Sequence, residues 1–180
     1  MSLPIDPEQL TRADIGERSV TLNMDHDEAI EHVRQTFESA GFGVPVEFSP
    51  SDLLREKIDA DRDPYYVLGA CNPEMADKAL EVTREIGALF PCNVVVWEVE
   101  PGLQQVYHVS IMKIARLNGI APDNDDWEAV VDGTGRMVEE AFDDLETTDA
   151  SGSGEEPRGR QGGKREGQGK HSGARRDDDE

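Results

Sequence analysis

Four consecutive apolar residues, Val94-Val95-Val96-Trp97, constrain this chain more than any other segment. Side chains alternate between the two faces of a strand, so an unbroken apolar run is buried on both. Such a strand lies at the centre of a sheet or under a partner. Pro91 precedes it, and Glu100-Pro101-Gly102 follows with the chemistry of a type II turn, returning the chain through Leu103 to Ser110 as the second arm of a hairpin.

The rest of the pattern supplies layers for that hairpin. Ser19 to Met24 alternates like a half-buried strand, and Asp25 with Glu28 makes a capping-box-like helix start. Ala29, Ile30, Val33, Phe37 and Ala40 then recur on one helical face until Gly41 stops the helix. Val44, Val46 and Phe48 share one side of a second strand, which Pro45 assigns to an edge. Ser49-Pro50 opens a short helix expected to bury Leu53, Leu54 and Ile58. Tyr65 to Ala70 reads as a strand, with Asn72 as cap and Pro73 as first residue of a helix whose inward face is Met75, Ala76, Ala79 and Leu80. After a short helix over Ile111 to Leu117, a last helix carries the stripe Trp127, Val130, Val131, Val138, Ala141, Phe142 and Leu145. Gly133 and Gly135 within it each cost ~1 kcal/mol relative to alanine.

The 180 residues suit one domain with its own core. Residues 1–17 mix prolines and acids without a period and read as a poorly ordered lead-in, 18–146 as a single domain, and 147–180, rich in glycine and charge, as a disordered tail. Of the 39 acidic and 18 basic residues, 31 and 11 fall before position 147, so the folded part carries nearly all of the net charge of -21. Repulsion on that scale is tolerable where the Debye length is ~3 Å or less, as at molar salt, so the composition is of halophilic type. The folded part should repel nucleic acid and anionic membranes. Arg158-Gly159-Arg160, Lys164-Arg165 and Arg175-Arg176 resemble arginine–glycine segments that touch RNA, but the tail's acids nearly cancel them. With no basic start leading into an apolar run and no stretch long enough to span a membrane, a cytoplasmic protein is expected.

Cys71 and Cys92, the only cysteines, stand in near-mirror settings, Leu68-Gly69-Ala70-Cys71-Asn72-Pro73 and Leu89-Phe90-Pro91-Cys92-Asn93-Val94. These strings, with Tyr66-Val67, Ala76, Ala79-Leu80, Ile86-Gly87 and Val95-Val96, resemble the signature of the domain-of-unknown-function family 302, and Gly41-Phe42-Gly43-Val44 and Leu54-Arg55-Glu56-Lys57 extend the likeness over roughly 19–145. The resemblance implies a small α+β domain of two layers, with a mixed β-sheet, helices packed mainly on one face and a tendency to form homodimers, in bacteria and archaea. It implies no settled reaction, and the acidity and the tail are this chain's own.

In a reducing cytosol two cysteines rest as thiols. Cys71 directly precedes a capped helix start, where backbone N–H groups favour a thiolate. The plain alternative is that each packs as a small hydrophobe. Two sulfurs fall short of a closed zinc site, and neither Cys-x-x-Cys nor His-x-x-x-His is present. Metal candidates are therefore Cys71 and Cys92, with Met75 and Met112 as thioether donors for a soft ion such as Cu(I) and His108 as an outside ligand. His26 and His32 read as surface residues near a helix start. Asn72 and Asn93, each following a cysteine, could donate to a bound oxygen, although Asn72 already has a cap to make. No phosphate-cradling loop, nucleophile triad or cofactor motif is present, and carboxylates are too many to pair by spacing. Three readings stand: a largely non-catalytic domain binding a small ligand or soft metal at Cys71 and Cys92, a thiol redox enzyme or sensor using the same pair, and an assembly module acting through its sheet.

Overall fold

The computed structural model describes residues 7–152, with side chains over 8–147. The expected tail beyond 152 and the first six residues of the expected lead-in lie outside the described residues. Within them run β1 (Arg18–Leu22), α1 (His26–Ser39), β2 (Gly43–Phe48), α2 (Pro50–Ile58), β3 (Tyr65–Cys71), α3 (Pro73–Val82), β4 (Cys92–Glu100), β5 (Leu103–His108), α4 (Ile111–Leu117) and α5 (Asp125–Gly152), with single 3-10 turns at Pro7–Gln9 and Arg84–Ala88.

The five strands form one sheet in the order β1-β5-β4-β3-β2. The apolar strand β4 is its centre and the proline-bearing β2 an edge, as periodicity requires. Every neighbouring pair is antiparallel, which corrects the expected mixed sheet to a purely antiparallel one. The reason is topological. β1 and β2, joined by α1, run the same way, but they lie at opposite edges with three strands between them, so no parallel ladder forms.

Helices α1 and α5 cover one face. Leu22, Leu68, Ala70, Val94, Val96 and Val106 from the sheet meet Ile30, Val33, Phe37, Val138, Phe142 and Leu145 in a continuous core. A second cluster joins α3, α4 and the start of α5 around Ala79, Ile86, Met112, Ala115, Trp127 and Val130. The other face of the sheet presents half-buried Tyr65, Val95, Trp97 and Tyr107, with Tyr65 stacked on Trp97 at 6.0 Å.

Helix α2 departs from its expected role. Leu53, Leu54 and Ile58 are 47%, 37% and 68% exposed, and Ser51 is its buried residue. The Ser51 hydroxyl accepts from the Tyr65 N–H at 3.1 Å, which turns this polar position toward β3 and leaves the leucines and isoleucine at the surface. Residues 13–15, preceding β1, are tied to α4: the Ser110 N–H donates to the Ile15 carbonyl at 2.8 Å, and Lys113 Nζ to the Ala13 carbonyl at 3.0 Å.

A sulfur-lined candidate site beside the central strand

Cys71 closes β3 and Cys92 opens β4. In the ladder Ala70 lies opposite Cys92, so the two cysteines are one register step apart on adjacent strands. At this end of the sheet both line one small cavity, of about 10 Å³, together with Phe42, Met75, Phe90 and Met112. That is room for about one water-sized particle. Four sulfur-bearing residues therefore border a space for about one water-sized particle, and no carboxylate lines it.

The two methionines and the segments that carry the cysteines are positioned by specific contacts. Asn72 Oδ1 accepts from the Met75 N–H at 2.9 Å, and Asn72 Nδ2 donates to the Gly41 carbonyl at 2.8 Å. Asn72 thus caps α3 and ties it to the end of α1, spending its amide on the scaffold. Met75 reaches across to α5: a Cβ at Gly133 would stand 2.7 Å from the Met75 sulfur, so glycine there opens the space that the thioether fills. The Met112 carbonyl accepts from the indole N–H of fully buried Trp127 at 3.1 Å. Gly69 admits Pro91, since a Cβ there would meet the proline ring at 2.4 Å and the Val46 carbonyl at 2.9 Å.

Burial governs the thiols. It pushes the Cys92 thiol up to about 12, with repulsion from Cys71 adding to the effect, and it raises Cys71 as well. The pull toward the thiolate expected of the helix start is outweighed at Cys71 by burial. Pro73 has no N–H, Asn72 takes the N–H groups of Met75 and Ala76, and desolvation is left in control. Both sulfurs rest protonated at neutral pH, and the repulsion between them reflects their proximity.

His108 is buried at 2% exposure and donates from Nδ1 to the Asn93 carbonyl at 2.9 Å. Burial, helped by the charge of Arg18, holds its pKa below the usual imidazole value. Asn93 contributes this backbone oxygen, while its side chain is exposed on the neighbouring register position. His108 lines a second, larger cavity of about 190 Å³ with Arg18, Ser110, Lys113 and Gly135, and Cys92, Met112 and Thr134 border both cavities. His26 sits 2.8 Å from the buried Gln104 side chain, and neither it nor His32 borders either cavity. Among the described residues no three His, Cys, Asp or Glu stand close enough to hold a metal ion. Sequence reasoning picked out Cys71, Cys92, Met75, Met112 and His108, but not Arg18, Ser110, Lys113 or Thr134, which become neighbours only when β1, α4 and α5 meet.

Residues 18–145 match a family model described as domain of unknown function DUF302. The chain belongs to this family. The crystal structure of the uncharacterized conserved protein DUF302 from Bacillus stearothermophilus resembles it with a TM-score of 0.62 and 22% identity, over 72% of this chain and 97% of that one. A likeness at this identity speaks to the fold. No curated protein matches the chain. Both cysteines lie inside the DUF302 match, as do all four cage residues. Among the described residues no helix is long and apolar enough to cross a membrane.

Proposed function

We propose that this DUF302 domain binds a soft monovalent metal ion of the Cu(I) class between Cys71, Cys92, Met75 and Met112, as a binding protein rather than a catalyst. The observation that carries the reading is the sulfur-lined, water-sized cavity. Thiolates and thioethers select soft ions, whereas Mg(II) or Ca(II) would need oxygen ligands that this cavity does not offer. Cu(I) accepts two thiolates with weak thioether support, so the lack of a third charged ligand does not disqualify the site. Binding must displace protons that both thiols hold tightly, so affinity should rise with pH and protons should be released on loading. A reducing, cytoplasmic setting would keep both sulfurs available.

The test is an anaerobic competition titration against a chromophoric Cu(I) chelator. One equivalent should bind, Cys71→Ser and Cys92→Ser should each weaken binding at least a hundredfold, Met75→Leu about tenfold, and Zn(II) should not compete. No stoichiometric uptake, or uptake indifferent to both cysteine variants, would end the reading.

The redox alternative has less support. A reactive thiol needs thiolate at neutral pH, and both here are shifted the other way. An assembly role is favoured by one observation, the half-buried aromatic row Tyr65, Trp97 and Tyr107 on the face opposite α1 and α5. A second copy of this chain is the proposed occupant, making a homodimer. Light scattering at molar salt should then give twice the chain mass, and Trp97→Glu should halve it.

A further inference from the structure

We infer that the larger cavity behind Cys92 is a binding site for a compact oxyanion carrying one hydroxyl, of the hydrogen phosphate or small hydroxy-acid class. In a folded part with 31 acidic and 11 basic residues, a chance lining would be acidic. This cavity is lined by Arg18 and Lys113, two of those eleven bases, and by no carboxylate.

The cations are held in place by oxygens at the cavity's own edge and beside it. Lys113 is anchored through Nζ to the Ala13 carbonyl at 3.0 Å, a bond that uses one of the ammonium's three donors. Arg18 donates from one nitrogen to the Glu17 carbonyl at 3.2 Å and meets Glu139 at 3.4 Å, an exposed and long ion pair of small worth. A planar guanidinium has five N–H groups, so both cations retain capacity toward a ligand. The Ser110 side chain accepts from the Lys113 N–H at 3.3 Å, which leaves its own hydroxyl proton to give. Gly16, in the left-handed region at φ +60°, brings the β1 lead-in against this wall: a Cβ there would stand 2.8 Å from Ser110 Cβ and 3.2 Å from Lys113 Cδ.

His108 supplies the complementary group. The Asn93 carbonyl can only accept, so Nδ1 carries the ring proton and Nε2 is left as an acceptor. Two cations and a hydroxyl facing one acceptor suit a ligand with anionic oxygens and one O–H. At about 190 Å³ the cavity falls below the ~300 Å³ at which sites for drug-sized ligands begin, and it is too small for a nucleotide. Inorganic phosphate or a glycolate-sized acid fits.

The test uses the full chain at fixed ionic strength, titrated with inorganic phosphate, glycolate, acetate and chloride while the His108 ring signals are followed by NMR. Phosphate or glycolate should bind saturably at least fivefold tighter than acetate or chloride and shift the His108 resonances. Arg18→Gln and Lys113→Gln should each weaken that binding about tenfold, while Arg116→Gln, which removes a cation paired with Glu128 outside the cavity, should leave it unchanged. Non-saturable shifts, equal response to chloride, or equal loss in Arg116→Gln would overturn the inference. Should either cavity variant fail to fold, the wild-type selectivity and the His108 response decide alone. Cu(I) uptake is read separately, so failure here leaves the sulfur site standing.

Discussion

At the scale of single residues, the sulfur cage can be probed from outside by Gly133. Glycine costs ~1 kcal/mol in a helix relative to alanine, and here the space it leaves is occupied by the flexible end of Met75. Gly133→Ala should therefore keep or slightly raise thermal stability while weakening Cu(I) binding roughly as much as Met75→Leu; unchanged affinity would place the thioether outside the metal's reach. The thiols also set a pH signature in the metal-free protein. Because Cys92 holds its proton up to about 12 against an ordinary 9.0, its contribution is whole below pH 9 and is lost as pH rises toward 12, by up to ~1.4 kcal/mol per pH unit. Subtracting the denaturation curve of Cys92→Ala from that of the wild type should isolate this alkaline loss. His108 has the opposite sign: its folded pKa is lowered, so its contribution is whole above the ordinary 6.5 and is lost as pH falls below it.

At the scale of elements, the close approach of the β3 ladder to the Phe90-Pro91-Cys92 segment depends on Gly69. Gly69→Ala should destabilise the domain by roughly 1–3 kcal/mol in chemical denaturation, since neither a proline ring nor a strand carbonyl yields easily. A change within experimental error would mean that β4 enters the sheet with more slack than described. Helix and strand identities were legible in the sequence wherever a stripe had one reading: the α5 stripe from Trp127 to Leu145 is buried as periodicity demands, and Val94–Trp97 is central. The α2 leucines were misread because apolar spacing states that a face exists, not that anything covers it, and Ser51 claimed the inner position. The mixed sheet that the family resemblance implied gives way to an antiparallel one, since pairing partners are chosen across the whole sheet and β1–α1–β2 alone does not reveal them. Half of the site was legible, because the two cysteines are the chain's only thiols and Met75 follows the first of them in the helix that Asn72 caps, with Met112 singled out as a further soft donor. The cationic wall was not, since Arg18 and Lys113 are 95 positions apart and are brought together by the pairing of β1 with β5.

At the scale of the whole molecule, a net charge of -21 concentrated before residue 147 meets few internal cations, and several of the ion pairs among the described residues, such as Arg18–Glu139, Arg55–Asp52 and Lys57–Glu56, are solvent-exposed and individually weak. Thermal stability should accordingly rise steeply between low salt and molar KCl as repulsion is screened, and a flat salt dependence would show that the acidic surface is not the dominant penalty. The same screening should favour the homodimer proposed for the aromatic face. Neither effect bears on the sulfur cage, whose ligands are neutral until loaded. The most direct measurement of that cage is X-ray absorption at the copper edge on the anaerobically loaded protein. A first shell of sulfur alone, reduced in number by Cys71→Ser and by Cys92→Ser, is the result expected. A shell dominated by nitrogen or oxygen, or one that both serine variants leave intact, would contradict the account.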